Sequence, residues 1–452
     1  MRGKGDSHPR IPSTVSRRLG DTSLIAGPSS STLDVPARVI DLVTGFPSLT
    51  SLHNELRPLA EDAAGATILY VHLPSTQIIE ERFGWETLGA YAGLLANYLG
   101  RVARDLERER GHCAVLRSFA DDYVLLIPQR ENDAEIPSRL GEGMLRHLQA
   151  MDEELATIHQ VYVGISRVTP YAKIHPERQL FRGIQRAQTE ATDVGRQKLA
   201  VQTRVLDRAI ANRSFNMVYQ PIVNIHDHSI FAYEALVRCT QPELRNPHVL
   251  FSVAEQAGRI WPLSRLLRKM AVDSVTSMPD GSLLFVNLHP LDFNDPELLR
   301  PEPFIVEHAA NLVLEVTERA TITDFEHFRR NMDVLRSSGV RIAVDDLGSG
   351  YAALSSVAEL NPDFIKFDMT LIRGIDQSPI RRNLLRNMVA FAVEAGTQVI
   401  AEGVETRAEL DTLRELGCHF VQGFFLAMPL PPFTLEIAPR QPSPEELPAE
   451  SS

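Results

Sequence analysis

Short apolar runs alternate with amphipathic segments along the C-terminal half of the chain, from about residue 200 to residue 435. Each run ends in polar or acidic residues, which is typical of buried strands in a parallel sheet. In chain order the runs read MVYQPIV, FAYEALVR, LLFVNLHP, LVLEVTE, RIAVDDLG, FIKFD, QVIAEGVE and HFVQGFFL. Segments between them, such as HFRRNMDVLRSSG and ETRAELDTLRELG, have helical periodicity and close with glycine near the C-cap.

The number and spacing of these runs predict a TIM-type (β/α)8 barrel. Eight strands within roughly 235 residues match the size of that fold, which has about 250 residues. Because the carboxyl ends of its strands meet at one mouth, we expect the polar residues at the run ends to form a single site. These residues are Gln220, Glu234, Asn287, Glu315, Asp345, Asp346, Lys366, Glu402 and Gln422.

A mixed α/β pattern before this region predicts a separate domain. ATILYVHL, YVLLIPQ and QVYVGISRV have the character of strands, and long charged segments between and after them have helical periodicity. Both ends of the chain are rich in Ser and Pro without periodicity, which predicts disorder. The expected organisation is a tail over 1–37, an α/β domain over 38–197, the barrel over 198–435 and a tail over 436–452.

Composition excludes several classes of partner. The chain has 452 residues, 44% of them hydrophobic, so two globular domains are expected. Its formal net charge of -12 argues against nucleic-acid or anionic-membrane binding, because both need a basic surface. No apolar run has transmembrane length, and the three cysteines have no metal-like or redox spacing. These features predict a cytoplasmic protein that associates with neither nucleic acid nor membrane.

The acids at the strand ends favour a metal site. Taken alone, Asp345 and Asp346 fit an ordinary helix cap about equally well. Five carboxylates at one mouth, however, would raise one another's pKa unless cations neutralised them. Because the ligands are oxygens, Mg²⁺ or Mn²⁺ fits better than zinc. Two such ions about 3.5–4 Å apart are the usual arrangement for phosphodiester hydrolysis.

Other charged residues suggest supporting roles at this mouth. Lys366 is suited to orienting an attacking water or offsetting negative charge, although a simple charge partner for the acids is the alternative. Arg238 lies four residues after Glu234, on the same face of an extended strand, and is a candidate phosphate clamp. Glu318 and Glu405 each follow a proposed ligand by three residues, so we expect them to anchor loops around the site.

The C-terminal half resembles an EAL-domain cyclic di-GMP phosphodiesterase. YQPIV, EAL-V-R, VNLHP, LEVTE, DDLGSGY, IKFD, AEGVE and VQGF occur in the family's order over roughly residues 205–432. The resemblance implies hydrolysis of cyclic di-GMP to linear pGpG, in bacterial second-messenger signalling, with two Mg²⁺ or Mn²⁺ ions. It implies metal ligation by Glu234, Asn287, Glu315, Asp345, Asp346 and Glu402.

The same resemblance assigns further roles. Lys366 and Gln422 would hold the catalytic water, and together with Glu234 and Asp346 they form the expected catalytic set. It places the substrate against Gln220, Leu236 and Arg238, and puts Asp368 with Glu318 and Glu405 in the supporting loops. A receptor for cyclic di-GMP that does not hydrolyse it, or a protein-interaction scaffold, is the alternative.

The sequence departs from the family pattern without losing a ligand. The family's DDFGTGYSSL is replaced by a loop with Leu347, Ser349, Ala352 and Ala353. Leu347 stands where the family has an aromatic residue, which predicts looser packing of the loop. QPELRNPHVLF also lacks the glycine usual after the second strand, so the loop on the substrate side is expected to differ.

The N-terminal domain resembles a degenerate GGDEF diguanylate cyclase. It opens with DLVTGFPSL, but the signature position reads FADDY from Phe119 to Tyr123 and lacks both glycines. His72 takes the place of the upstream metal-binding acid, and the inhibitory R-x-x-D site reads from Arg110 to Cys113. We expect no cyclase activity. A remnant that dimerises or supports the barrel in a homodimer is favoured over a regulatory GTP pocket built around Asp121 and Asp122.

Overall fold

The computed structural model describes residues 39–49, 65–74, 76–118, 121–150, 160–298, 300, 303–317, 325–347, 361–434 and 437. Several residues singled out above lie outside the described residues: Phe119, Ala120, Glu318, Ser349, Ala352, Ala353 and the side chain of Asp346. The two expected tails lie outside them as well, apart from residue 437.

An α/β unit precedes the barrel. Its strands are β1 (Ala66–His72), β2 (Ala114–Arg117), β3 (Tyr123–Pro128) and β4 (Tyr162–Val168). Its helices are α1 (Thr76–Arg110), α2 (Ile136–Gln149) and α3 (Pro176–Ala211). The four strands form an antiparallel sheet in the order β2–β3–β1–β4.

The central strand β1 is buried on both faces of this sheet. Leu69 and Val71 pack in one hydrophobic cluster with side chains of α1 and α2. Ile68 and Tyr70 point to the other face and pack with Ile184 of α3. Because successive side chains of a strand alternate between faces, a strand covered on both sides reads as the continuous apolar run seen in the sequence.

Eight strands form the closed barrel. They are β5 (Phe215–Asn224), β6 (Ile230–Cys239), β7 (Leu283–Leu288), β8 (Leu312–Thr317), β9 (Arg341–Leu347), β10 (Phe364–Phe367), β11 (Gln398–Ala401) and β12 (Phe420–Val421). The helices around it are α4 (Pro247–Gln256), α5 (Ile260–Asp273), α6 (Pro303–His308), α7 (Phe325–Ser337), α8 (Met369–Ile372), α9 (Pro379–Glu394) and α10 (Arg407–Glu415). The eight predicted strands and the closed barrel are confirmed.

The prediction of a regular (β/α)8 topology is wrong for the first strand, β5. β5 runs antiparallel to both of its neighbours, β6 and β12. The turn between β5 and β6 spans only a few residues, and His228 within it has a φ of 58°. A connection this short closes a hairpin, whereas parallel neighbours need a crossover of a dozen residues or more. Gln220 therefore enters the barrel from an antiparallel strand and not from the carboxyl end of a parallel one.

Helix α3 runs without interruption from the α/β unit to the barrel. Its N-terminal half packs on the sheet, and Leu206 and Ala209 near its end pack with Phe215 at the start of β5. The expected domain boundary between residues 197 and 198 falls inside this helix. Within the described part of the chain, no helix combines the length and the apolar character needed to span a bilayer.

Candidate active site

The polar residues of the site form a ring directly above an apolar layer of the barrel interior. The apolar layer contains Ile222, Ala232, Phe285, Val313, Ala343, Phe364, Ile400 and Phe420. The residues two positions nearer the mouth are Gln220, Glu234, Asn287, Glu315, Asp345, Lys366, Glu402 and Gln422. Because side chains repeat every second residue along a strand, each strand brings one apolar and then one polar side chain to the same face. Period-two geometry thus collects residues about 200 positions apart in sequence.

The ammonium of Lys366 lies at the centre of this ring. Its side chain is 1% exposed. The Nζ atom is 2.6 Å from Glu315 Oε1, 2.7 Å from Glu402 Oε1, 3.2 Å from Asp345 Oδ1 and 3.5 Å from Glu234 Oε2. Four carboxylates thus share one buried ammonium, which leaves three negative charges without a cation among these groups.

Burial and charge shift the pKa values of the ring in opposite directions. Burial raises the pKa of Glu315 and Glu402 well above the ordinary value, although the Lys366 ammonium opposes this. Burial alone would also raise the pKa of Glu234, but Lys366 and hydrogen bonds from Gln422 and Asn287 bring it below its usual value. Lys366 is buried too, yet the surrounding carboxylates raise its pKa well above the ordinary value.

The donor set fits a hard divalent cation. Both carboxylate oxygens of Glu315 are buried without a hydrogen bond of good geometry among the described residues, although Lys366 lies within ion-pair distance. Among the same residues, no group of three or more His, Cys, Asp or Glu side chains is arranged as a preformed metal cage. The carboxylates converge on the Lys366 ammonium instead. Oxygen donors with excess negative charge are what Mg²⁺ and Mn²⁺ prefer.

Hydrogen bonds hold the Glu234 carboxylate at both oxygens. Asn287 Nδ2 donates to Oε1 at 2.9 Å, and Gln422 Nε2 donates to Oε2 at 2.7 Å. Gln422 Nε2 also donates to Gln220 Oε1 at 3.0 Å. Glu234 therefore has a fixed orientation beside Lys366, and Gln220 belongs to the same hydrogen-bonded group.

A β-bulge lies at the pair of adjacent acids. In the pairing of β9 with β10, Val344 is opposite Ile365 and Leu347 is opposite Phe367, so Asp345 and Asp346 together face the single residue Lys366. A bulge of this kind re-aims side chains and is frequent beside active sites. It gives a local reason why two successive acids occur at this strand end. Leu347, after the bulge, is 1% exposed and packs in the main hydrophobic core of the barrel.

Leu236 and Arg238 continue the inward-facing row of β6 above Glu234. Both are partly buried, and the Arg238 guanidinium donates to the carbonyl of Val237 at 2.8 Å. Burial lowers the pKa of Arg238, and the Glu234 charge opposes this shift. The predicted substrate-binding residues therefore line one face from the acidic ring toward the mouth.

Two of the residues predicted to support the site, Glu405 and Asp368, lie in described loops of the barrel. Glu405 is paired with Arg373 at 2.6 Å. Asp368 caps α8 by accepting from the Thr370 N–H at 2.8 Å. These contacts fix loops that follow β10 and β11.

The sequence patterns did not predict a buried ion cluster beside β7. Arg268 of α5 is 2% exposed and lies 3.0 Å from Asp292, while Arg265 binds Asp295 through two nitrogens. Asp292 also accepts from the His289 N–H at 3.0 Å and so holds the loop that follows Asn287. The only sequence signal was the closely spaced pair of acids in LDFNDP.

Asp121 and Asp122 of the N-terminal unit have partners within that unit. Asp122 is 5% exposed and accepts from Tyr70 Oη at 2.8 Å and from the Leu73 N–H at 2.9 Å. His72 Nδ1 lies 3.0 Å from the same carboxylate, and Asp121 is paired with Arg117. These contacts favour a structural role for both acids.

A cavity of about 1110 Å³ lies elsewhere on this unit, between the end of β4 and the face of α3. Arg167, Arg182 and Arg186 are among its lining residues, and Asp121 and Asp122 are not. The acids of the FADDY segment and the cavity are therefore separate features.

The profile of the EAL domain family matches residues 203–429, half of the chain. The chain belongs to the EAL domain family. The match covers all eight barrel strands and every residue of the ring. Among curated proteins, the uncharacterized protein y4lL of Sinorhizobium fredii is 27% identical over 418 residues, covering 86% of this chain and 49% of that protein.

Two further relatives each match about half of the chain. The Escherichia coli protein named probable cyclic di-GMP phosphodiesterase PdeG is 30% identical over 243 residues, covering 52% of this chain and 48% of that protein. The chain thus spans about half the length of these curated relatives. Among solved structures, that of the PaMucR phosphodiesterase in complex with c-di-GMP is 27% identical, with a TM-score of 0.48, and covers 52% of this chain and 98% of the other.

Proposed function

We propose that the EAL barrel is a metal-dependent phosphodiesterase that hydrolyses cyclic di-GMP to linear pGpG. The observation that carries this proposal is the buried ring, in which four carboxylates share the single ammonium of Lys366. Membership of the EAL family and the similarity to a protein named as a probable cyclic di-GMP phosphodiesterase support the choice of substrate.

Two divalent ions, Mg²⁺ or Mn²⁺, would supply activation of the attacking water and Lewis-acid stabilisation of the phosphate. Glu234, Asn287, Glu315, Asp345, Asp346 and Glu402 are the proposed ligands. A water oxygen bonds to one phosphorus, the P–O3′ bond breaks, and the 3′ oxygen takes up a proton.

The other residues of the ring orient the reactants. Lys366 Nζ stabilises negative charge on the attacking oxygen or on the phosphate. Gln422 has a buried amide oxygen without a hydrogen-bond partner among the described residues, which suits it to accept from the attacking water. Arg238, above the ring on β6, is the proposed clamp for the second phosphate.

The test is turnover by the full chain. With Mg²⁺ or Mn²⁺ present, cyclic di-GMP should be converted to pGpG, and chelation by EDTA should stop the reaction. Glu234→Ala should abolish turnover, whereas Glu394→Gln, at an exposed position of α9, should leave it unchanged. Binding of cyclic di-GMP without product at saturating metal would show a receptor and contradict the proposal.

We propose that the N-terminal unit is a GGDEF-like domain without cyclase activity, which supports the barrel or a homodimer. The internal partners of Asp121 and Asp122 support a structural role over a GTP site. The full chain should form no cyclic di-GMP from GTP. Adding GTP should not change the rate of cyclic di-GMP hydrolysis, and titration with GTP should release no heat of binding. Analytical ultracentrifugation measures whether the full chain is a monomer or a homodimer. Saturable GTP binding would contradict the structural assignment.

A further inference from the structure

The inward-facing row of β7 continues past the acidic ring to His289. Phe285 lies in the apolar layer, Asn287 lies in the ring, and His289 follows after two more residues. The backbone of His289 is still extended, with a φ of -77° and a ψ of 143°. Because side chains repeat every second residue along an extended chain, His289 lies on the same side as Asn287, one level nearer to the mouth.

His289 also lies at the level of the proposed phosphate clamp on the neighbouring strand. In the parallel pairing of β6 and β7, Ala235 is opposite Val286. Continued by three residues, this register brings Arg238 level with His289. The two side chains therefore extend the substrate face from β6 onto β7.

A backbone hydrogen bond fixes which nitrogen of His289 carries the proton. The Leu291 N–H donates to His289 Nδ1 at 3.2 Å, and a backbone N–H can only donate. Nδ1 is therefore unprotonated, so the ring is neutral and its proton is on Nε2. Nothing among the described residues accepts a hydrogen bond from Nε2, and the half-buried ring leaves this nitrogen in contact with solvent. His289 thus offers a free N–H donor to a ligand.

Phe251 of α4 extends the flat surface of this imidazole. The two rings are nearly parallel, with an interplanar angle of 12° and a centroid distance of 6.1 Å. Parallel rings at that distance are offset, so each leaves part of its face uncovered by the other. Together they form an aromatic surface suited to a planar base.

The segment that carries His289 is held in place before any ligand binds. Asp292 accepts from the His289 N–H at 3.0 Å, and Trp261 Nε1 donates to the Leu291 carbonyl at 2.9 Å. A donor fixed in this way loses little conformational entropy on binding. The Nε2–H direction is therefore set by the fold and not by the ligand.

We propose that His289 is a base-recognition residue: its Nε2–H donates to O6 of one guanine of cyclic di-GMP, and the ring of Phe251 stacks on that base. The inference rests on the proposed phosphodiesterase function. A base is the favoured acceptor because a neutral imidazole brings no charge to a phosphate and lies beside an aromatic ring. Guanine has the acceptors O6 and N7 on this edge, whereas adenine has an N6 donor in place of O6. A fixed donor therefore favours guanine over adenine.

Two substitutions separate the donor of His289 from its contact with the loop. His289→Asn keeps an acceptor for the Leu291 N–H in the place of Nδ1 but removes the Nε2 donor. His289→Gln carries an amide N–H to the place of Nε2 but loses the acceptor near Leu291. His175→Asn is the control, because His175 belongs to the N-terminal unit and its side chain is 71% exposed.

The full chain is assayed with Mn²⁺ for kcat and KM on cyclic di-GMP, and for the Ki of cyclic di-AMP as a competitor. We expect His289→Asn to raise KM about tenfold, with kcat changed less than about threefold. The Ki of cyclic di-AMP should rise less than KM, so the preference for guanine falls. His289→Gln should remain closer to wild type, and calorimetry without nucleotide should show unchanged Mn²⁺ affinity in both variants.

Phe251→Leu tests the stacking surface separately. It should raise KM and the Ki of cyclic di-AMP by similar factors of about fivefold, because stacking on an aromatic ring tolerates either base. Circular dichroism checks folding, and His289→Ser, which also keeps an acceptor for the Leu291 N–H, replaces the asparagine variant if that variant unfolds.

A wild-type KM in His289→Asn together with impaired His289→Gln would show that the ring only caps its loop and would overturn the proposal. Equal rises of KM and Ki in His289→Asn would overturn recognition of the base. Wild-type protein without turnover at saturating Mn²⁺ would instead refute the proposed function. The same variants are then compared by calorimetric binding of the two dinucleotides, so the two failures are distinguished.

Discussion

Replacing Lys366 by methionine is expected to destabilise the barrel strongly when no divalent cation is present. Methionine keeps the length and most of the volume of the side chain but removes the ammonium. The four carboxylates that lie 2.6–3.5 Å from Nζ then face one another without a compensating charge. The protein must either bury those charges or take up protons.

The expected loss is about 3–5 kcal/mol of unfolding free energy, the usual cost of removing one partner from a buried ion pair. One pair at about 3 Å is worth roughly 5 kcal/mol at an effective dielectric constant of 20, so four pairs give a much larger gross attraction. Desolvation of the ammonium and proton uptake by the carboxylates offset most of it. Because Lys366 is 1% exposed, solvent screening reduces the effect little.

Urea unfolding in EDTA at pH 7.5 measures this loss of unfolding free energy. The fluorescence of a single tryptophan in the barrel follows the transition. The chain has two tryptophans, and Trp261 on α5 donates to the carbonyl of Leu291 at 2.9 Å. Trp85 belongs to the N-terminal unit, so a Trp85→Phe background leaves Trp261 as the fluorescent reporter. Lys269→Met is the control, because it removes an exposed i,i+4 ion pair worth about 0.3–0.5 kcal/mol.

Two further measurements test the cause of the loss. Without the ammonium, burial and mutual repulsion are expected to raise the pKa values of the carboxylates above those of the unfolded chain. The penalty is then absent below the unfolded values near about 4 and grows as the pH rises. The difference in unfolding free energy between wild type and Lys366→Met should therefore increase from pH 5 to pH 8, and Mn²⁺ should reduce it. Equal stability of the two proteins in EDTA at pH 7.5 would refute the reasoning.

Three other changes probe the rest of the structure. A Cβ on Gly423 would lie 2.2 Å from the Val404 carbonyl oxygen, so Gly423→Ala should lower the unfolding free energy of the barrel by about 1–3 kcal/mol in the same urea assay. Thr406→Ala removes the capping box that Thr406 forms with Glu409 of α10 and should cost about 1 kcal/mol, with Thr406→Ser close to wild type. Burial raises the pKa of Asp133, but its hydrogen bonds outweigh this and lower the pKa below the ordinary value. The folded N-terminal unit therefore loses stability as the pH falls through that pKa. Asp133→Asn should remove this acid dependence, which is read from Trp85 fluorescence.

The strand content and the polar ring were predictable because both follow from period-two geometry. In each run a polar residue lies two positions from an inward-facing apolar residue, and a closed barrel brings those polar positions together. The direction of β5 was not predicted, although the short link around Asp227 and His228 carried the signal. Treating every run as a parallel strand hid the hairpin, and with it the fact that Gln220 lies opposite Glu234.

Other features of the site depend on pairing between distant segments. The bulge at Asp345 and Asp346 exists only relative to β10, so the sequence of β9 shows two acids but not that the pair occupies the register position opposite the single residue Lys366. The orientation of the Gln422 amide likewise depends on the carbonyl of Ala427 and on Gln220 of β5, about 200 residues earlier. Sequence patterns identify the residue types at a site, whereas the direction of a hydrogen bond is fixed only by the folded chain.

We propose two divalent cations instead of one because of the charge of the proposed ligand set. The proposed ligand set, which includes Asp346, has five carboxylates, and together with the Lys366 ammonium it carries an excess of four negative charges. Burial raises the pKa of Glu315 and Glu402 well above the ordinary value, which favours relief of part of that excess by proton uptake when no metal is bound. One divalent ion would still leave two negative charges facing an anionic phosphodiester and would repel it. Two ions would neutralise the proposed carboxylate ligands, and Lys366 would then be able to act on the substrate instead of on the acids.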